Sequence, residues 1–275
     1  MALVIQTNVA SLEAQRNLFK SQTALQSTFN KLSSGFRINT AKDDAAGLAI
    51  SESLKLQVKT LTVNERNAGD AISMAQTAEG ALGELSNIVL RMRELATQGA
   101  NGALQSTDRD FIQTEFTSLQ SEMRRIMTST KFNGKQLINS AGSEHQFQIG
   151  ITNSTFDRIG ISFGGIKLES LTGVARVSSG PGNARAALDT IDSALFKVSQ
   201  ARARFGAMMN RFETTISNIQ SVRLNLAAAN SRIRDVDVAE EAATQSKNQV
   251  LSQAGTSVLS QANQTPQAAM SLLKG

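Results

Sequence analysis

Both ends of this chain carry narrow apolar stripes, and that narrowness most restricts what it can fold into. Near the start Leu18, Leu25 and Leu32 recur every seven residues, with Phe29 at the intermediate position. Near the end Val222, Leu226, Ala229, Ile233 and Val236 advance in steps of three and four, and Leu251, Ala254 and Val258 resume the pattern. Such steps keep apolar side chains on one face of a helix, and that face is buried only against another helix. The residues around the stripes are Ala, Ser and Gln rather than a second apolar row. Helices of this kind bury too little to offset the entropy of ordering them, so the stripes read as surfaces for other copies of the same chain.

The helical pattern continues inward. Ile72, Ala75, Ala78, Leu82, Leu85, Val89, Met92 and Ala96 advance by threes and fours until Gly99-Ala-Asn-Gly102 stops the helix. Ser106 and Thr107, then Asp108 and Asp110, offer capping oxygens and first-turn negative charge for a restart. The next stripe is Ile112, Phe116, Leu119, Met123 and Ile126. After Pro181 comes the longest one: Leu188, Ile191, Leu195, Val198, Arg202, Phe205, Met209, Phe212, Ile216 and Ile219, broken only by Arg202. Between Ile219 and Val222 the register slips by one overwinding step. As a helix, Leu188 to Arg234 spans about 70 Å.

Residues 131–182 differ. Phe147, Ile149 and Ile151 alternate with Gln148 and Gly150, and Ile159, Ile161 and Phe163 with Gly160 and Ser162. Period-two alternation on both sides of Thr152-Asn-Ser-Thr155 predicts a small antiparallel β unit, an excursion rather than a domain. The predicted fold is mainly α: a long antiparallel coiled-coil rod with a β-hairpin region, the N- and C-terminal helices pairing at one end.

Chemistry is hard to find. The chain has no Cys, no Trp and no Tyr, which removes disulfides, thiolate metal sites and the amphipathic aromatics common in ligand pockets. His145 is the only histidine, so a paired-histidine metal site is unavailable, and a catalytic triad would rest on this one residue with no nucleophile elbow in the sequence. Gly134-Lys135 is followed by Gln136, not by the hydroxyl of a phosphate-binding loop. Asp43-Asp44 could hold a metal or share a proton, yet they precede Ala45-Ala-Gly-Leu-Ala-Ile50 and fit the start of a helix. No catalytic, cofactor or metal residues are expected. The formal charge of +5 comes from scattered Lys and Arg interleaved with acids, not the basic stripe of a nucleic-acid site. Met1-Ala-Leu-Val-Ile-Gln lacks a secretory leader's basic start, and no segment has the roughly 18 apolar residues of a membrane span.

Several long words of the sequence resemble the bacterial flagellins. LSSGFRINTAKDDAAGLAIS (Leu32 to Ser51) is similar to the family's junction signature between inner and outer core, carried here by Ser34, Gly35, Arg37, Asn39, Asp43 and Asp44. NERNAGDAISMAQTAEGAL (Asn64 to Leu82), RMRELATQGANG (Arg91 to Gly102), SRIRDVDVAEEA (Ser231 to Ala242) and QANQTPQAAMSLL (Gln261 to Leu273) continue the resemblance in order. Val238 departs from it, standing where many relatives carry an aromatic residue.

The resemblance implies a structural subunit of the flagellar filament, exported by the flagellar apparatus without a cleaved signal and located outside the cell. Implied partners are many copies of itself, a secretion chaperone, and the filament cap and junction proteins; nucleic acid and membrane are not among them. It implies an inner-core domain of residues 1–42 with 235–275, an outer-core rod of residues 43–234, and no large outer domains. On this reading Leu18, Leu25, Phe29, Leu32, Val236, Leu251, Ala254 and Val258 pack between subunits, and the ends order only on polymerisation. Arg91, Leu95 and Glu115 match the surface read by the vertebrate innate-immune flagellin receptor. Ser140, Ser154, Thr155 and Ser162 are candidate glycan acceptors. Two alternatives carry the same stripes: a hook–filament junction or cap protein, and a secreted amphipathic coiled coil acting on membranes.

Overall fold

With only two prolines in the chain, proline breaks few of the helical stripes and the helices run long. They are α1 (Val9–Ser34), α2 (Ala45–Gly99), α3 (Ser106–Ser129), α4 (Pro181–Arg234) and α5 (Val238–Lys274). The computed structural model describes residues 7–138, 142–164, 171, 176–178 and 180–274; Met1–Gln6 and Ser140 lie outside them. The chain divides into two compact units, residues 59–223 and residues 1–58 with 224–275. The borders expected at 42/43 and 234/235 coincide with turns at the ends of helices, whereas the compact units divide within α2 and α4, which are continuous there.

In the unit of residues 59–223 the predicted stripes form one core. Ala75, Ala78, Leu82, Leu85, Val89, Met92 and Ala96 of α2 are fully buried with Ile112, Phe116 and Met123 of α3, and Ile191, Val198, Phe205 and Phe212 of α4. Arg202, the one break in the stripe of α4, stays exposed and bonds Glu79 of α2 at 2.7 Å. Arg93–Asp192 at 2.6 Å and Arg223–Glu65 at 2.7 Å link the same two helices. Numbers fall along α2 as they rise along α4, so the pairs track an antiparallel register. Past Ile219, 5 % exposed, the stripe of α4 leaves the core, with Val222 at 38 %. This is where the sequence slips.

The end of α2 is closed by Arg109, nearly buried, whose guanidinium donates to the carbonyls of Gly99 at 3.3 Å and Asn101 at 3.0 Å. Those are the acceptors a helix C-terminus leaves without partners. At the start of α3 the Gln105 amide donates to Asp108 at 3.1 Å, so the acidic residue of the first turn reaches back to the capping residue, which is Gln105. Ser106 and Thr107, expected to cap, are already inside the helix.

Among its described residues the β region holds two hairpins rather than one. Strands β1 (Lys131–Phe132) and β2 (Lys135–Gln136) pair across Asn133-Gly134, both with positive φ. Asn-Gly is the strongest short hairpin signal because it tolerates the left-handed backbone of a two-residue turn. Strands β3 (Ser143–Gln148) and β4 (Arg158–Phe163) pair antiparallel, Phe147 opposite Ile159 and His145 opposite Ile161. Ile149 and Ile151, expected to continue the first strand, lie in the connection. The amides of Ile149 and Gly150 both turn to the Asp157 carbonyl, at 2.9 and 3.0 Å, and Asp157 sits so close that Gly150 has no room for a side chain. The second hairpin is seated on the helices: Phe163 stacks on Phe205 at 5.4 Å, Phe147 meets Phe212 edge-on at 5.9 Å, and the amides of Asn64 and Asn67 hold the carbonyls of Gly150 and Gln148.

Candidate self-association surface

The unit formed by the two chain ends is built differently. Helices α1 and α5 pack along their length, but the leucines between them are only half-buried and the fully covered residues of α1 are small or polar. Among the described residues here, Ala14 and Ile38 are the only buried hydrophobic side chains; Ser11, Thr28 and Ser51 are buried with them. Leu18 closes over Gly255, whose added Cβ would lie 3.3 Å from Leu18 Cδ1. At the start of α1, Asn8 accepts from the Ser11 amide at 3.1 Å and donates to the Ala262 carbonyl at 2.8 Å, while the Ser11 hydroxyl lies 2.7 Å from Asn263 Oδ1. The helix pair is thus matched by close approach and hydrogen bonds, with little apolar area.

The expected seam residues separate into two sets. Leu18, Leu25 and Leu32 are half-buried on the face of α1 toward α5, and Val236 is half-buried beside the end of α1. Phe29 is 50 % exposed, Leu251 46 % and Val258 54 %, with Ala254 exposed on the same stripe of α5. That stripe stands off the intrachain contact, which uses Asn248, Ser252, Gly255 and Leu259 instead. Val9, Leu12, Phe19 and Val250 are also half or more exposed. Phe19 borders a groove of about 640 Å³ that runs between α1 and the turn at Asn39–Asp43. The periodic pattern picks out Leu251, Ala254 and Val258; Val9, Leu12 and Phe19 are exposed as well but fall off the seven-residue leucine step.

The junction residues form a clasp where α1 and α4 end. Gly35 takes φ +74°, which stops α1, and its amide returns to the Lys31 carbonyl at 2.9 Å. The Ser34 hydroxyl donates to the same carbonyl at 3.2 Å and accepts from the Phe36 amide at 3.2 Å. Phe36 then pairs with Asp235 in an antiparallel bridge flanked by Arg37 N to Arg234 O at 2.7 Å and Val236 N to Gly35 O at 3.1 Å. The Arg37 guanidinium donates to the Ile233 carbonyl at 2.7 Å. Arg234 lies over the Phe36 ring, 4.6 Å from its centre, and reaches Glu52 at 2.5 Å; a desolvated cation over an aromatic face is itself stabilising.

The acidic pair that follows has two separate tasks. Asp43 Oδ2 accepts from the amides of Asn39 at 3.2 Å and Thr40 at 2.9 Å and from the Thr40 hydroxyl at 3.0 Å. These bonds, the Thr40 amide first, hold its carboxyl below the usual carboxylate range. Asp44 caps α2, accepting from the Gly47 amide at 2.8 Å. Gly47 is required: a side chain there would strike Asp44 and Ile38. Asp237 does the same for α5 through the Ala239 amide at 2.9 Å. Val238 follows it, 63 % exposed.

On the rod, Arg91 bonds Glu115 of α3 and Glu94 of its own helix, each at 2.8 Å, and the two carboxylates raise its pKa, Glu94 foremost. Arg91 and Glu115 are exposed and joined. Leu95 is 2 % exposed: it points into the core beside Met92 and Ala96, so the surface presented by Arg91 and Glu115 does not include its side chain. Ser154, Thr155 and Ser162 are exposed. No helix among the described residues is long and apolar enough to cross a membrane.

Comparison with known proteins matches both helical ends of the chain. Residues 5–143 match the bacterial flagellin N-terminal helical region and residues 188–273 the C-terminal helical region. A flagellin of Xenorhabdus nematophila is 42 % identical, each chain covered completely. A flagellin of Halalkalibacterium halodurans is 40 % identical over 99 % of this chain and all of its own. The flagellar filament 33 kDa core protein of Treponema phagedenis is 37 % identical with the same coverage. Among solved structures, Bacillus cereus flagellin superposes with a TM-score of 0.51 at 32 % identity, covering 60 % of this chain and 94 % of its own. A hook-associated protein of Vibrio parahaemolyticus, 14 % identical with a TM-score of 0.59 over 70 % of this chain and all of its own, shares the fold. Matched through both terminal regions, and along its whole length by these relatives, the chain belongs to the bacterial flagellin family.

Proposed function

We propose that this chain is a structural subunit that self-assembles into the flagellar filament, with the exposed stripes of α1 and α5 as contacts between copies. The observation that carries the reading is the divided seam: the contact within the chain uses small and polar residues and half-buried leucines, while Val9, Leu12, Phe19, Leu251 and Val258 face outward. Full burial of one such side chain contributes roughly 1.5–3 kcal/mol, so a neighbour covering several supplies what the isolated helix pair lacks. The family is one of structural proteins, and the reading assigns no reaction. Export by the flagellar apparatus, escort by a secretion chaperone, contact with cap and junction proteins, and an extracellular location belong to the same proposal. So does receptor recognition at Arg91 and Glu115, with Leu95 acting only by shaping the surface from beneath.

The test separates the two halves of the seam. Val258→Asp leaves the contact within the chain intact and places a charge on the outer stripe. Filament growth on seeds, watched by electron microscopy, is expected to stop while the thermal melt of the monomer is unchanged. Leu25→Asp strikes the intrachain side and is expected to loosen α1 from α5 as well. Filaments of normal length from Val258→Asp would overturn the assignment of that stripe. Liposome binding by a monomer that forms no filaments would favour a membrane-acting coiled coil instead.

A further inference from the structure

The only histidine of the chain, His145, lies in β3 with its ring 5.7 Å from that of Phe163, the residue that stacks on Phe205 of α4. It therefore sits beside one of the contacts by which the second hairpin is seated on the helical core. Its Nε2 is buried and has no hydrogen-bond partner among the described residues. Opposite it on β4 is Ile161, also buried. The charges around it give no compensation. Lys135 on β2 is the charged group acting on the ring. Glu144, the next residue on its own strand, reaches across toward Gly160. Arg158 on β4 is bonded to Gln148 and Asn153, and α4 presents the apolar Phe205 behind Phe163.

We propose that His145 makes the seating of the β3–β4 hairpin sensitive to mild acid. In the seated state the imidazolium, protonated on both nitrogens, has a buried Nε2–H with no acceptor among the described residues and is a cation facing an ammonium group, both unfavourable. The opened hairpin hydrates the same imidazolium at no such cost. Burial first, and Lys135 second, depress the pKa of this group. The opened state therefore binds the proton at higher pH than the seated one. Seating is fully stable above the ordinary histidine range near pH 6.5 and weakens as pH falls from there toward the lowered value. Carboxylates titrate mostly below that window, so this one residue governs it.

Because the chain has a single imidazole, its proton resonances can be followed without assignment. In the full-length protein they are expected to titrate below the free-imidazole value. Trypsin cleavage after Arg158, at the first residue of β4, is expected to quicken several-fold between about pH 8 and pH 5 once corrected for the protease's own pH dependence. In His145→Phe, which keeps the ring contact with Phe163, that acceleration is expected to vanish. An imidazole titrating at the free value, or an equal acceleration in His145→Phe, would overturn the proposal. His145→Gln, neutral throughout, gives a second variant in which the acceleration must also be absent.

Discussion

The two compact units are made of the same kind of helix and solve the problem of burial in opposite ways. Residues 59–223 place Phe116, Phe163, Phe205, Phe212, Leu82 and Leu85 in the interior, each fully or almost fully buried. Residues 1–58 and 224–275 bury Ser11, Ala14, Thr28, Ile38 and Ser51, and leave Phe19 and Leu224 each 71 % exposed. One unit carries its core inside. The other holds its own helices together by caps, close approach and a backbone clasp, and turns its large apolar side chains outward. Apolar burial within the chain is therefore concentrated in the first unit.

The difference can be broken most severely in the rod. Phe205→Ala removes a ring that packs on Phe163 and is expected to cost about 3–5 kcal/mol, read as a large fall in the melting temperature of the monomer. A loss that small helices at the ends could hide, with no change in the melt, would mean the core is not where the stability lies. Smaller in effect, Gly255→Leu puts a side chain where Leu18 already sits, at a cost of roughly 1–3 kcal/mol. Hydrogen exchange is expected to quicken in α1 and α5 while the rod keeps its protection. Equal quickening in both units would show that they do not melt separately.

Below that comes the cap of α2. Asp44→Ala takes away the acceptor of the Gly47 amide and is expected to cost about 1 kcal/mol, felt as faster exchange in the first turn of α2. The smallest effect is on acidification. The Asp43 carboxyl is held low by the Thr40 and Asn39 amides, and that of Asp192 by Arg93. Each contributes stability above the ordinary carboxylate range near pH 4, which is lost as pH falls through its lowered value. Asp43→Asn keeps an acceptor oxygen but not the charge. It is expected to flatten the acid dependence of exchange in the junction turn and to leave that of the Arg93–Asp192 contact unchanged.

Most of the rod was legible in the sequence because its largest apolar residues fall on the buried stripes. Val89, Met92, Phe116, Phe205 and Phe212 are found by period alone. The ends were harder for the same physical reason reversed. Period picks out the bulkiest side chains, and here the contact within the chain belongs to Ser11, Ala14, Thr28 and Gly255, while Leu251 and Val258 lie off it. A small residue signals a close approach only once the facing helix is known. Arg109 gave no periodic signal, since its task is to reach the carbonyls ending another helix. The first hairpin was readable from Asn133-Gly134. The early end of β3 was not, because it depends on Asp157 drawing two amides from across the connection.

The bridge between Phe36 and Asp235 has a mechanical meaning. It ties two connecting turns side by side, one leading from α1 to α2 and the other from α4 to α5, with hydrogen bonds on both flanks. A pull along the helices is then carried by two covalent backbones in parallel, and neither turn can pay out slack without shearing the other. The clasp is built as a splice, two thin connections laced together by backbone hydrogen bonds.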